Sequence, residues 1–386
     1  WRPVLGGLAL QFVFALIVLQ TRAGRAVFEF LGQAVTGIIR CTDQGSAFLF
    51  DWLATGNQMV FAFHVLPIII FFCSFMAVLY HLGLMQMVVK VMARVMTATM
   101  GVSGAESLSV AANVFIGQTE APLVVRPYVN KMTRSELMAL MTGGFATVAG
   151  SVLGVYIIMI GEQYATHFLA ASVMSAPAAF VMAKIMLPET EESLTAGAVK
   201  IHFEKKTVNV IDAAASGAGD GLKLALNVGA MLLAFIALLA LIDWPLELLS
   251  DKFELHQYLG GRTLSLRTIF GYLLWPVAWL LGVPAQECTV VGGLLGTKIA
   301  ATELVAYQTL QTEMAAGSLS PKTIIICTYA LCGFANFASI AIQFGGIGGI
   351  APDRRHDLAR LGLRAMVGGA LASFMTAAFA GLLVHV

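Results

Sequence analysis

Ser107-Leu108-Ser109-Val110-Ala111-Ala112-Asn113-Val114-Phe115 is a run of nine residues, mostly apolar, that stops at Ile116-Gly117-Gln118-Thr119-Glu120. A helix needs about 20 apolar residues to cross the hydrocarbon of a bilayer, so this one cannot cross. It reads as a half-helix that enters the apolar phase and turns back, with an amide, a hydroxyl and a carboxylate at its tip. Upstream, Ser103 and Glu106 have the spacing of a capping box, which marks the start of that helix.

The surroundings make a membrane the solvent. The chain has 386 residues, 58% of them hydrophobic and 12% charged, whereas soluble proteins are about a quarter charged. Spans are predicted over Val4–Leu19, Met59–Leu79, Leu137–Ile160, Tyr164–Leu187, Leu222–Ile242, Thr323–Phe344 and Leu361–Val384. Ala23–Phe50 is more amphipathic, and His81–Met96, with Lys90 and Arg94 four apart, suits a helix lying along the interface. The chain opens at Trp1-Arg2-Pro3 directly into its first apolar stretch, without Met or a small-residue cleavage site, and is expected to lack its native beginning.

Several functions lose their basis here. A formal net charge of +1 provides no field for nucleic acid. The seven histidines have no metal-ligand spacing and the five cysteines form no CxxC pair. No nucleophile and base stand together as an enzyme would need.

The charged segment Pro188–Asn209 divides the sequence into two halves that look alike. Each has an interfacial helix, the second over Thr268–Leu281, then a short apolar segment and a tip containing Thr-Glu, at Thr119-Glu120 and Thr302-Glu303. Each continues into a span broken by small residues, at Ala149-Gly150-Ser151 and Gly333-Phe334-Ala335-Asn336, and ends in a last span. Matching interrupted segments in two halves mark transporters built from repeats, with substrate and ion bound where the broken helices meet. The resulting fold is an all-α, multi-span membrane transporter with two re-entrant hairpins and an inverted repeat. Its parts are scaffold spans (1–80), a first transport repeat (81–187), a loop, span and outer loop (188–262), and a second repeat (263–386). Arg126, Lys131 and Arg134, then Lys200, Lys205 and Lys206, then Arg354, Arg355, Arg360 and Arg364 can share one side, read as cytoplasmic.

A carboxylate within the membrane costs a few kcal/mol or more unless it has partners or water, so Glu120 and Glu303 are site candidates. The bland alternative is a structural ion pair or a carboxylate at a half-helix N-terminus. An amide such as Gln118 offers donor and acceptor to a nucleobase edge, and a carboxylate can accept from two neighbouring sugar hydroxyls. Asn336 and Ser339 form a second polar group, which could equally satisfy backbone freed by Gly333.

Ala111–Pro127 (AANVFIGQTEAPLVVRP) resembles the first hairpin of the concentrative nucleoside transporter family. Ala330–Asn336 (ALCGFAN) and Glu303–Tyr307 (ELVAY) resemble two further signatures of that family, and the likeness runs in order over nearly the whole chain. The resemblance implies eight spans, of which the first is missing here, a homotrimer, and a bacterial inner-membrane location. It assigns Gln118, Thr119, Glu120 and Val152 to the nucleobase, and Glu303, Asn336, Ser339 and Phe334 to the ribose and pocket wall. Sodium falls to the side chains of Asn113 and Thr147 with backbone carbonyls near Ile116 and Val148. Thr302 stands where an Asn is common, and Thr147 where a Ser is. Sodium-coupled nucleoside import is the implied function, with a proton-coupled carrier and a nucleoside-binding gate or sensor as alternatives.

Overall fold

A computed structural model of the protein describes residues 1–55, 60–195, 207–259 and 261–384. Among these residues every regular element is a helix. The first helices are α1 (Arg2–Gln20), α2 (Arg22–Phe50), α3 (Leu66–His81) and α4 (Leu84–Met100). The short helix α5 (Gly104–Asn113) is followed by 3-10 and α turns over Ala121–Val125 and Arg126–Val129, then by α6 (Arg134–Ala146), α7 (Gly150–Ile160) and α8 (Ala165–Met186). The second half holds α9 (Val210–Lys252), α10 (Leu266–Leu273), α11 (Trp275–Leu280), α12 (Cys288–Ala300), α13 (Glu303–Ala315), α14 (Pro321–Ala330), α15 (Phe337–Ile350) and α16 (Arg355–Leu383).

Six helical stretches among the described residues are long and apolar enough to cross a bilayer: Arg2–Gln20, Phe61–His81, Arg134–Ile160, Glu162–Met186, Val210–Lys252 and Pro352–Leu383. The seventh predicted span, Thr323–Phe344, is two short helices, α14 and α15, separated at residues 331–336. Leu137–Ile160 breaks in the same manner, at residues 147–149. Both interruptions were anticipated from the small residues. Thr268–Leu281, read as one helix, is split at Leu274 into α10 and α11, because Pro276 lacks the N–H that would continue the ladder. Leu222–Ile242 is the middle of a much longer helix, the 43-residue α9.

α6, α8, α14 and α16 pack together at the centre, and α5 and α15 lie against this core. With lipid as apolar as leucine, close approach through small residues replaces the hydrophobic drive of soluble cores. Gly217 and Gly221 of α9 form such a contact: a Cβ on Gly217 would lie 2.7 Å from the Cys73 carbonyl oxygen of α3, and one on Gly221 2.7 Å from Ile70 Cα. Adding a methyl at either position would push the two helices apart.

α5 starts as expected, with Ser103 Oγ accepting from Glu106 N and the Glu106 carboxylate accepting from Ser103 N at 2.7 Å. The sequence did not disclose the partner of that carboxylate: Lys184 Nζ of α8 lies 2.7 Å from Glu106 Oε2, both side chains buried, and also donates to Ser135 Oγ at 3.0 Å. A buried charge pair of this kind gives little net stability, but breaking it by removing one partner costs about 3–5 kcal/mol. It therefore holds α5, α6 and α8 in one register.

At the same end, Thr133 Oγ1 donates to Glu189, Arg134 pairs with Asp357 at 3.7 Å, and Arg354 donates to the carbonyls of Asn130 and Met132. The first and last basic groups thus share one side of the molecule. Lys200, Lys205 and Lys206, and half of the central loop, lie outside the described residues.

Candidate binding site between the broken helices

Three helices begin after interruptions, and two of them, α13 and α15, begin at the same buried place, where Asn336 donates to Glu303. α7 starts after the break at residues 147–149, α13 after Thr302 and α15 after Asn336. Glu303 and Asn336 stand at the N-termini of α13 and α15, where the positive end of a helix dipole suits acceptors and anions. The caps come from polar residues already singled out: Asn336 Oδ1 accepts from Ser339 N at 2.8 Å, and Thr302 Oγ1 accepts from Val305 N at 3.4 Å. Thr302 therefore performs the capping role that an Asn could also perform. Gly333, with φ of +145°, provides the turn before α15 in a region that other residues rarely adopt.

Gln118 and Glu303 are 7% and 3% exposed, so neither faces lipid. They are joined through α15. Gln118 Nε2 donates to Ser339 Oγ at 3.1 Å, Ser339 N donates to Asn336 Oδ1, and Asn336 Nδ2 donates to Glu303 Oε2 at 3.0 Å. The other oxygen of Glu303 accepts from Tyr156 OH of α7 at 3.0 Å. A carboxylate has about four acceptor positions; side chains occupy two and the main chain at Glu303 also donates, which leaves room for a further hydroxyl donor.

The other candidates are arranged around this chain. Thr119 is half-buried and packs on Gly346 of α15, where a Cβ would lie 2.9 Å from Thr119 Cγ2. Glu120 is exposed at the tip and folds back over Gly117, joining neither the Gln118 nor the Glu303 cluster by a hydrogen bond among the described residues. Val152 is buried on α7 and Phe334 half-buried in the second break.

The four residues expected to hold sodium fall on the two turns of the first half. Gly150 N donates to Phe115 O at 3.1 Å, which brings the turn after α5 against the turn after α6. Asn113 is 1% exposed, yet among the described residues neither Oδ1 nor Nδ2 has a hydrogen-bond partner. Thr147 Oγ1 donates to Gly143 O at 2.8 Å, leaving its lone pairs available, and Ile116 and Val148 have non-helical backbone. This all-oxygen set fits a hard monovalent cation, and the orphaned Asn113 amide is the kind of buried polar group that a ligand would satisfy.

Three residues at the site escaped the sequence reading. Gln343 Nε2 donates to Gln118 Oε1 at 2.9 Å and to Met141 O at 3.1 Å. Its signal was a single amide in an apolar helix, four residues after Ser339 and so on the same face. Tyr156 looked like any span tyrosine. Lys298, whose Nζ donates to Ala330 O at 2.9 Å, is fully buried in α12, where a lone cation in an apolar segment could have been noticed.

Known proteins match the chain from end to end. Family models described as Na+ dependent nucleoside transporter N-terminus, Nucleoside recognition, and Na+ dependent nucleoside transporter C-terminus cover residues 1–53, 62–163 and 167–381. An uncharacterized transporter of Bacillus subtilis is 45% identical over 389 residues, spanning 99% of this chain and 93% of the relative. Sodium/nucleoside cotransporter 1 of Homo sapiens is 43% identical over 398 residues, spanning 99% of this chain but 60% of that longer protein. The solved structure of CNTnw in an inward-facing substrate-bound state superposes with a TM-score of 0.91 at 43% identity, covering 99% of this chain and 92% of the other. A CNTnw variant in an outward-facing state gives a TM-score of 0.91 at 42% identity, with coverage of 99% and 91%. By these matches, and by the helical membrane architecture on which the polar turns are mounted, the chain belongs to the Na+-dependent nucleoside transporter family.

Proposed function

We propose that this protein imports nucleosides by sodium-coupled symport, through alternating exposure of one site to the two sides of a bacterial inner membrane. The observation that carries the reading is the hydrogen-bonded chain from Gln118 through Ser339 and Asn336 to Glu303, which joins the tips of the two halves around buried polar groups. In this reading Gln118 and Thr119 meet the nucleobase, Glu120 reaches it directly or through water, and Val152 packs on its face. Glu303, Asn336 and Ser339 hold the ribose, and Phe334 lines the pocket. A sugar offers neighbouring hydroxyl donors, and Glu303 has room for a further one at a helix N-terminus.

Sodium is the co-transported ion, held by Asn113 and Thr147 side chains and the carbonyls of Ile116 and Val148. Binding there would tie the turn after α5 to the turn after α6 and so order the tip that carries Gln118. Sodium then raises nucleoside affinity, and by linkage nucleoside raises sodium affinity by the same factor. Hairpins and broken helices of the two repeats move as a loaded unit against the scaffold spans, in an elevator-type displacement. The names of the mammalian sodium/nucleoside cotransporters and the inward- and outward-facing forms of CNTnw support this reading. Exposed apolar side chains along α9, such as Leu222, Leu226 and Leu233, leave a face for lipid and for the sister copies of a homotrimer.

Uptake of labelled uridine and adenosine into proteoliposomes, with sodium replaced by choline at fixed pH, tests the reading. Concentrative uptake that requires sodium is expected. Concentrative uptake that continues in choline and follows the proton gradient assigns the coupling to protons instead, and binding without accumulation leaves only a gate or sensor.

A further inference from the structure

We propose that Gln343 is a positioning residue that fixes which way the Gln118 amide faces, and so sets which edge of a nucleobase the cleft accepts. The proposal rests on Gln118 meeting the base. Gln343 is fully buried and touches the cleft only through its neighbours. Its Nε2 donates both to Gln118 Oε1 at 2.9 Å and to the main-chain oxygen of Met141 at 3.1 Å. A main-chain carbonyl can only accept, so the end of the Gln343 amide that faces it must be the nitrogen. With that nitrogen in place, Gln118 has to offer it an oxygen. The Gln118 nitrogen then falls on Ser339 Oγ at 3.1 Å.

The direction of both amides is therefore dictated from the backbone of α6. Turning Gln118 over would set two NH2 groups face to face, and turning Gln343 over would aim its oxygen at the Met141 carbonyl. Gly144 provides the space: a Cβ there would lie 2.6 Å from Gln343 Nε2 and 3.1 Å from Gln118 Cβ. What remains for a ligand is one N–H and one oxygen lone pair of Gln118, in a fixed order.

That order distinguishes the two pyrimidines. Uracil presents a carbonyl acceptor beside a ring N–H donor, and cytosine presents an amino donor beside a ring-nitrogen acceptor. An amide held one way complements one of these patterns and opposes the other. An amide free to turn accommodates both.

The test compares uridine and cytidine in proteoliposomes with sodium present, measuring the half-saturating concentration and maximal rate for each. Wild type is expected to prefer one of the two by at least about fivefold, the effect of roughly one hydrogen bond. Gln343→Met, which keeps the volume and removes both donors, should bring the ratio of half-saturating concentrations to within about twofold of unity. Its sodium dependence should stay close to wild type, so that the change appears in the half-saturating concentrations for the two nucleosides. Gly144→Ala, which displaces the Gln343 amide without altering it, should move the ratio in the same direction, and it decides the matter if Gln343→Met does not fold. An unchanged ratio in the folded variant, or a wild type that takes both nucleosides equally, overturns the proposal. Gln118→Ala separates the two layers: if it leaves both half-saturating concentrations unchanged, the base assignment itself is wrong. If it weakens both while Gln343→Met preserves the ratio, only the role of Gln343 is lost.

Discussion

Each half of the molecule has a short helix that ends at a buried turn, α5 in the first and α12 in the second, and the two ends are stabilised by different means. In the second half, Lys298 sits in the last turn of α12 and its ammonium is bonded to Ala330 O, the last residue of α14. In the first half, Asn113 closes α5, whose following turn meets the turn after α6, and its amide has no hydrogen-bond partner among the described residues. A helix C-terminus carries unpaired carbonyls and a partial negative charge, so it favours a cation. The second half has a cation covalently attached, whereas in the function proposed above the first half offers oxygens to a cation from solution. A helix end closed by its own lysine is thus permanently set, while one ending in an unpartnered amide is left open to a ligand.

The largest departure should follow from damage to the fixed half at the cleft. Glu303→Gln keeps the shape and removes the charged acceptor shared by Tyr156 and Asn336. Nucleoside uptake should fall by roughly a hundredfold or more, because charge-assisted bonds are worth about 1.5–3 kcal/mol each. Wild-type uptake in this variant would refute the assignment of Glu303 to the ribose.

Lys298→Met tests the contrast directly. It leaves the Ala330 carbonyl buried without its donor, at a cost of about 1–3 kcal/mol. The thermal midpoint should drop by the same amount in sodium and in choline. A loss seen only in sodium would mean that the attached ammonium is not the counterpart of the free ion.

Asn113→Ala should show the opposite dependence. In wild type, sodium at ten times its dissociation constant adds about 1.4 kcal/mol to stability by mass action. That increment should vanish in the variant, with little change in choline. A sodium-induced shift of wild-type size would remove Asn113 from the ion site.

Thr302→Asn should have the smallest effect. Both residues cap helices well, so stability should change by only a few tenths of a kcal/mol. A large loss of uptake with normal stability would reveal that Thr302 contacts the ligand as well as capping α13.

The fold was legible because the bilayer imposes strict rules on sequence. Runs of about 20 apolar residues, a nine-residue run ending in Gly-Gln-Thr-Glu, and small residues inside spans each have few physical readings. Polar tips were legible for the same reason: Gln118, Glu303, Asn336 and Ser339 are costly in an apolar phase unless they meet one another, and they do. The partners that orient them were harder to read. Gln343 and Tyr156 are single polar groups in long apolar helices, and which face they occupy relative to Gln118 or Glu303 depends on how far apart in space residues over 100 positions apart in sequence come to lie. Lys184 was hidden similarly, since its pairing with Glu106 requires α8 to pass beside the start of α5. Helix length was underestimated where polarity changes along a helix, as in α9, whose first turns carry Asp212, Asp220 and Lys223.

At about 1.5 Å per residue the 43 residues of α9 extend roughly 65 Å, twice the thickness of the hydrocarbon layer. A rod with that much surplus keeps an apolar middle in lipid at many inclinations, so thickness of the bilayer does not dictate its angle. The angle is left to its two joints, the glycine contact with α3 near one end and, near the other, Asp243 and Ser250, which accept from Leu266 N and Leu264 N.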